Sequence, residues 1–516
     1  MCSAGLSTPK PILPATGEKL YTEPDSAGEG PHALSFVRSF RSRWSVSGAP
    51  GFAANPGLGQ AWSHNHATSL VVEGTPPTAA RVLFGDGSVS GFTWETSSAS
   101  WKPASGSSTL AATTSAATGY LLTRAQDDTR WQFDAAGKLL SVTERNGWVT
   151  TYSYHASGNG TGRLAQVTNA FGRVLSLAYD AAGQLSSTTT PDGQTISYTF
   201  DSALRLTGVG YPGNASKTYL YEDSRWPQSV TGIIDERGIR LATVVYDAQG
   251  RATESGYALG ADRYTILYGA TATDPVQVTD PLGTQRSYTY GTVLNKLAVT
   301  GATLPSGSGG SDAASRVQNA SGLLDSETDF LGVQTMYTWD INRRLPLATT
   351  RAANKPEAQT TTTQWHPTFR LPVLVTEPGR STAYTYDPLG NKLTEAVTDT
   401  ATSQTRTWAW TYNSQGLVAT STDPRGNVSQ YAYDTSGNLT SFKDPLNQET
   451  RYAYDTAGRV TQETTPNGLV TGYSYDLRGR VLQITRGTEV STFSYTPSGQ
   501  ISGLSLPNGY AIAYTL

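Results

Sequence analysis

The chain has 516 residues, too many for one small core, and its 38 basic and 41 acidic residues leave a net charge of −3. That near balance excludes the basic face on which nucleic-acid binders depend. No run of eighteen apolar residues is present to form a membrane-spanning helix, and the single cysteine, Cys2, excludes an intramolecular disulfide.

Residues 1–31 are rich in Pro and Gly and read as extended. They lack the basic start and apolar core of a signal peptide. Residues 32–44 alternate apolar and polar positions and read as a strand. Ser63-His64-Asn65-His66 spells the letters of a nuclease motif. That motif spreads its three residues over a metal-binding fold, so the expectation here is an exposed turn. In a strand His64 and His66 would share a face and could hold a metal, but His32, His155 and His366 lie far away in sequence. Strand-like runs 68–72 and 80–84 flank Pro76-Pro77, and 89–94 follows a Gly-Asp-Gly turn. Residues 96–118, rich in Ser, Ala and Thr, read as a long exposed loop. Residues 120–123 and 129–133 read as a strand pair.

From Asp134 onward one pattern takes over. Tyrosine recurs at 412, 433, 454, 475 and 495, and most copies continue Asp-x-x-Gly. A fixed short period marks a repeat architecture. The motif residues are Tyr179, Asp180 and Gly183; Tyr246, Asp247 and Gly250; Tyr386, Asp387 and Gly390; Tyr433, Asp434 and Gly437; Tyr454, Asp455 and Gly458; and Tyr475, Asp476 and Gly479. Asp in first place and Gly in fourth is type I turn chemistry. A second turn, such as Pro466-Asn467-Gly468, lies between the two β-branched runs of each unit. Each unit of about 21 residues is therefore an antiparallel hairpin, and the chain is predicted to be all-β. Irregular inserts are expected near 291–320 and 351–372, and the domain division falls at 1–133 and 134–516.

Period two along a strand places Tyr473 and Tyr475 on one face, and likewise Tyr431 with Tyr433. The resulting row of rings reads as packing, or as a stacking platform for sugar or nucleic acid. About 36 strands at ~4.8 Å each would make a ribbon about 170 Å long. Open twisted sheets of more than about ten strands curl or split, so the ribbon must curl; one closed turn would be about 55 Å across.

The pattern Tyr-x-Tyr-Asp-x-x-Gly-x-Leu/Val, as in 431–439 and 452–460, resembles the YD repeats of the Rhs family. Pro14-Ala-Thr-Gly-Glu-Lys19, Leu34-Ser-Phe-Val-Arg38 and the stretch 57–65 resemble the domain that opens many Rhs chains. The resemblance implies a spiral β-shell enclosing a toxic C-terminal domain or a toxin subunit. It also implies a secreted or cell-surface protein, secretion-system or toxin-complex components as partners, and a role in interbacterial competition or insect pathogenesis. No closing segment or toxin follows Leu516, so a shell incomplete at the C-terminus is expected. A carbohydrate-binding surface adhesin is the competing reading, given 11 Trp and 28 Tyr.

No catalytic motif survives inspection. Gly208-Val-Gly-Tyr-Pro-Gly213 has the letters of a dinucleotide loop, but no helix follows and Pro212 removes an amide. No enzyme, cofactor, metal or nucleic-acid partner is expected.

Overall fold

Alternation along each strand builds a one-sided ribbon. In Val174–Tyr179, Leu175, Leu177 and Tyr179 are buried, whereas Val174, Ser176 and Ala178 are not. Such a strand needs a partner layer on one face only. In the computed structural model, which describes residues 7–9, 11–44, 56–113, 119–271, 273–294, 296–305 and 313–514, that layer comes from the N-terminal stretch. Cys2 lies outside the described residues, as do 114–118 of the expected loop and 306–312 of the first expected insert.

Two small antiparallel sheets come first. One joins Ile12–Leu13, Glu18–Ser26, Phe36–Arg41 and Trp62–His64. The other joins Ser69–Glu73, Ala79–Leu83, Val89–Glu95 and Ser100–Pro103. An 18-strand ribbon runs from Thr109–Ala112 to Lys296–Ala302, and a 19-strand ribbon from Ser315–Gln318 to Ala511–Ala513. Within each ribbon every strand pairs antiparallel with its chain neighbours. No register pairs Thr109–Ala112 with Lys296–Ala302 among the described residues, so the first ribbon is open. One 3-10 turn, Ala258–Gly260, is the only helical element among the described residues.

The N-terminal sheets cover the tyrosine-bearing face of the first ribbon. Phe36, Phe40, Leu58 and Trp62 pack with Leu175, Leu177, Tyr179, Tyr198 and Tyr219. Leu70, Val82, Phe92 and Trp101 pack with Leu122, Phe133 and Leu139. Ile12 reaches Tyr246, Ile266 and Tyr288. The second ribbon has no such cover among the described residues. It is a single layer, with Leu345 and Leu417 among the few buried apolar side chains.

Three sequence expectations need correction. Residues 96–118 are not one long exposed loop: Ser100–Pro103 and Thr109–Ala112 are paired strands, and Trp101 and Leu110 are buried in the core. Residues 351–372 are no irregular insert: Gln359–Trp365 is a regular strand paired on both edges. Trp365 stands where a repeat tyrosine was sought, which hid the copy. His64 is not on an exposed turn; it ends the strand Trp62–His64 and is fully buried, its ring against Phe36 at 4.9 Å between centroids.

Candidate functional site: the repeat joint and the seam

Each Tyr-Asp turn joins one hairpin to the next through its aspartate, whose Oδ1 accepts the amide four residues on. At Asp247 the amides of Gln249 and Arg251 donate to Oδ1 at 2.9 Å, and Arg251 Nε donates to Oδ2 at 2.7 Å. The Gly250 amide closes the turn on the Asp247 carbonyl at 3.1 Å. Burial pushes the Asp247 carboxyl up, but these bonds outweigh it and hold the group below its usual range. Asp455 and Asp476 bind Arg459 and Arg480 in the same way. Asp387 and Asp434 bind Asn391 and Asn438. The Gln184 amide donates to Asp180 Oδ1 at 2.8 Å.

The fourth residue must then turn left-handed. Gly183, Gly250, Gly390, Gly437, Gly458 and Gly479 have φ between 72° and 87°, a region glycine enters at little steric cost. The register slips by one residue at Tyr179, Tyr246, Tyr386, Tyr433, Tyr454 and Tyr475. A type I turn followed by a glycine bulge produces that slip.

The tyrosine hydroxyl reaches back to the preceding unit. Tyr179 donates to Leu164 O, Tyr454 to Leu439 O and Tyr475 to Val460 O, at 3.0, 2.8 and 2.6 Å. Tyr246 and Tyr386 donate to Val230 O and Pro372 O. Trp339 and Trp365 do the same through their indole N–H, to Leu324 O and Pro346 O. The arginine held by one aspartate covers the next unit's ring: Arg459 lies 4.9 Å from the Tyr475 ring and Arg480 4.6 Å from that of Tyr495. Aspartate, arginine and the next tyrosine thus form a chain of contacts along the ribbon.

A second set of bonds joins the ribbons edge to edge. Trp148 Nε1 donates to Gln415 O at 2.7 Å, and Arg173 Nη2 to Asn438 Oδ1 at 2.6 Å. Arg459 lies 3.6 Å from Asp192, and Arg478 3.4 Å from Glu236. The partners in the first two bonds are 267 and 265 residues apart. The chain therefore winds as a spiral, and the Tyr-Asp turns of the second winding sit on the opposite turns of the first. From Val149–Tyr154 to Thr405–Tyr412 one winding takes 23 strands. At ~4.8 Å per strand that is about 110 Å round, or about 35 Å across as a circle. The 55 Å reckoned from sequence came from closing every strand into one turn.

A buried ion pair fixes the N-terminal sheet to this wall. Arg38 and Asp25, both fully buried, meet at 2.6 Å. Tyr198 and Tyr211 donate to Asp25 at 2.9 and 3.1 Å, and Arg38 donates to Tyr219 at 2.9 Å. A cavity of about 340 Å³ lies at the seam, bounded by Glu23, Asp25, Arg173, Asp192, Arg459 and Arg478. Its cations are already engaged by Glu23, Asn438, Asp192 and Glu236. Among the described residues no group of three or more His, Cys, Asp or Glu could hold a metal. No helix among them is long and apolar enough to cross a membrane.

Tandem hairpins, a recurring Tyr-Asp-x-x-Gly joint and two windings locked along a seam define a YD-repeat β-shell. The comparisons agree: the Teneurin YD-shell model matches residues 95–292, the RHS repeat model matches 433–470 and 454–489, and a domain of unknown function, DUF6531, matches 9–92. The chain thus carries YD/RHS repeats and resembles the shell proteins that these models describe. No curated protein matches it. Among solved structures, TcdB2-TccC3-Cdc42 is similar over 96% of this chain and 27% of that one, with 13% identity and a TM-score of 0.52. A Tc holotoxin pore from Photorhabdus luminescens is similar over 97% of this chain and 29% of that one, with 12% identity and a TM-score of 0.44. The likeness to the first is one of fold, and this chain spans about a quarter of its length.

Proposed function

We propose that this chain is wall material for a container that encloses a toxic polypeptide and helps deliver it from a bacterium. The seam carries the reading. Bonds such as Trp148 to Gln415 and Arg173 to Asn438 join successive windings into a continuous wall, which a binding module has no need to build. The tyrosine-bearing face of the second ribbon supports it further: Trp339, Trp365, Trp410 and Tyr412 are half-buried with no second layer over them among the described residues, and a sheet needs something against its apolar face. In this reading an enclosed polypeptide supplies it. Residues 1–133 serve as an N-terminal unit and 134–516 as the repeat shell, although the first ribbon already takes in Thr109–Ala112, Tyr120–Thr123 and Arg130–Phe133. The role is structural rather than catalytic, the partners are toxin-complex or secretion components, and the place of action is outside the producing cell.

The adhesin reading is weaker. In the first ribbon the rings are covered, and repeat hydroxyls that would meet a sugar are spent on backbone carbonyls. Co-production with the polypeptides encoded beside it, followed by limited proteolysis, tests the proposal. A toxic polypeptide should co-purify and resist protease until the shell is unfolded. Digestion at the rate of the free polypeptide would refute enclosure.

A further inference from the structure

Residues 29–34 connect Glu18–Ser26 to Phe36–Arg41 and pass along the seam between the windings. The Pro31 carbonyl accepts from Arg173 Nη1 at 3.3 Å, and Arg173 Nη2 binds Asn438 of the second winding. The His32 carbonyl accepts from Asn169 Nδ2 at 2.6 Å. A Cβ on Gly30 would come 2.7 Å from Arg173 Nη2 and 3.0 Å from Asn438 Oδ1, so the strap fills its slot. His32 sits at the tip with φ 51°, a left-handed conformation that a non-glycine residue holds only when its surroundings fix it.

The surroundings of His32 are specific. Its ring lies against Trp148, centroids 5.6 Å apart, and Trp148 itself makes the seam bond to Gln415. Nε2 is 3.1 Å from Thr150 Oγ1 and 3.4 Å from Glu144 Oε1. Nδ1 accepts the Ala170 amide at 3.3 Å. An amide N–H can only donate, so Nδ1 carries no proton in this arrangement and Nε2 does.

We propose that His32 is an acid-sensitive latch, which holds the strap 29–34 in the seam while its Nδ1 is free to accept the Ala170 amide and releases it when Nδ1 takes a proton. The proton comes from solvent and turns the imidazole into an imidazolium. Two donors then face each other across 3.3 Å, and the bond to Ala170 is lost. Glu144 favours the cation, Arg173 lies one residue along at Pro31, and the second winding offers the neutral Gln415 and Asn438. Burial outweighs Glu144, so the closed strap favours the neutral ring. The unfastened strap has an ordinary imidazole and binds more protons, so closure is complete above pH 6.5 and weakens as the pH falls.

Hydrogen exchange at the Ala170 amide and at residues 29–34, corrected for intrinsic rates, tests the latch. Between pH 7.5 and 5.0 protection should fall by up to about 30-fold, the factor by which an imidazole of pKa 6.5 gains protons at pH 5. His32→Asn tolerates positive φ and offers an oxygen to the same amide, and should show no such fall. Glu144→Gln, which removes the group that favours the cation, should deepen it. Nitrogen-15 spectra of the His32 ring give a readout independent of folding and should show a bare Nδ1 at neutral pH. Unchanged Ala170 protection in the parent, an equal fall in His32→Asn, or a proton on Nδ1 would overturn the proposal.

Discussion

The hydroxyl bond of a repeat tyrosine is modest but is made many times. Tyr475 donates to Val460 O at 2.6 Å, and its ring lies under Arg459. Tyr475→Phe keeps ring and cation but removes the donor, and the net cost of such a bond is about 0.5–1.5 kcal/mol. The loss is local, so native-state hydrogen exchange of the strands Val460–Thr464 and Val470–Tyr475 is the measure. Their opening should become easier by about that amount while distant hairpins stay unchanged. Equal protection in the two proteins would mean that the hydroxyl does not hold the joint. The turn chemistry was legible in sequence because Asp and Gly act within five residues. The hydroxyl's partner was not: it lies about fifteen residues back, on a carbonyl that any residue supplies. Trp339 and Trp365 show the same limit, since an indole N–H replaces a phenol O–H where a search for tyrosine sees nothing.

At the scale of elements, alternation predicted the repeat strands but not Ser100–Pro103, Thr109–Ala112 or Gln359–Trp365. It missed which face is covered and by what. Nothing in the run 62–66 tells that His64 lies against Phe36 and His66 beside Tyr152, because those contacts come from distant segments. The buried His64 has a consequence for pH. Burial, with His66 alongside, pushes its imidazole down to about 3. The unfolded chain, at about 6.5, therefore binds the proton more readily than the fold does. Stability is complete above pH 6.5 and declines as the pH falls toward 3. At pH 5 this one residue should cost the N-terminal sheet about 2 kcal/mol. His64→Leu should remove that share of the acid sensitivity, read as the difference in denaturant midpoint of the N-terminal sheet between pH 7 and pH 5. A slope equal to the parent's would show that His64 is already protonated, or hydrated, in the fold.

For the whole molecule, strand count predicted curling, while the pitch came only from the bonds between windings. Those bonds are side-chain contacts between turns, whereas inside a ribbon every strand but the first and the last has a backbone ladder on each side. Ala511–Ala513 pairs with Ile501–Ser505 on one edge, and no register covers its other edge among the described residues. Tyr510, Ile512 and Tyr514 are exposed around it, with no Lys or Pro to blunt the edge. An unpaired strand of this kind is a template for another chain. The 516-residue chain alone should therefore self-associate with rising concentration, edge against edge. Ile512→Pro removes an amide from the ladder and Tyr510→Lys adds charge to the edge, so together they should shift the protein toward monomer. Light scattering over a concentration series decides between the outcomes. A parent that stays monomeric, with the 511–513 amides strongly protected from exchange, would mean that the edge is already covered. Association unchanged in the double variant would place the contact elsewhere on the shell.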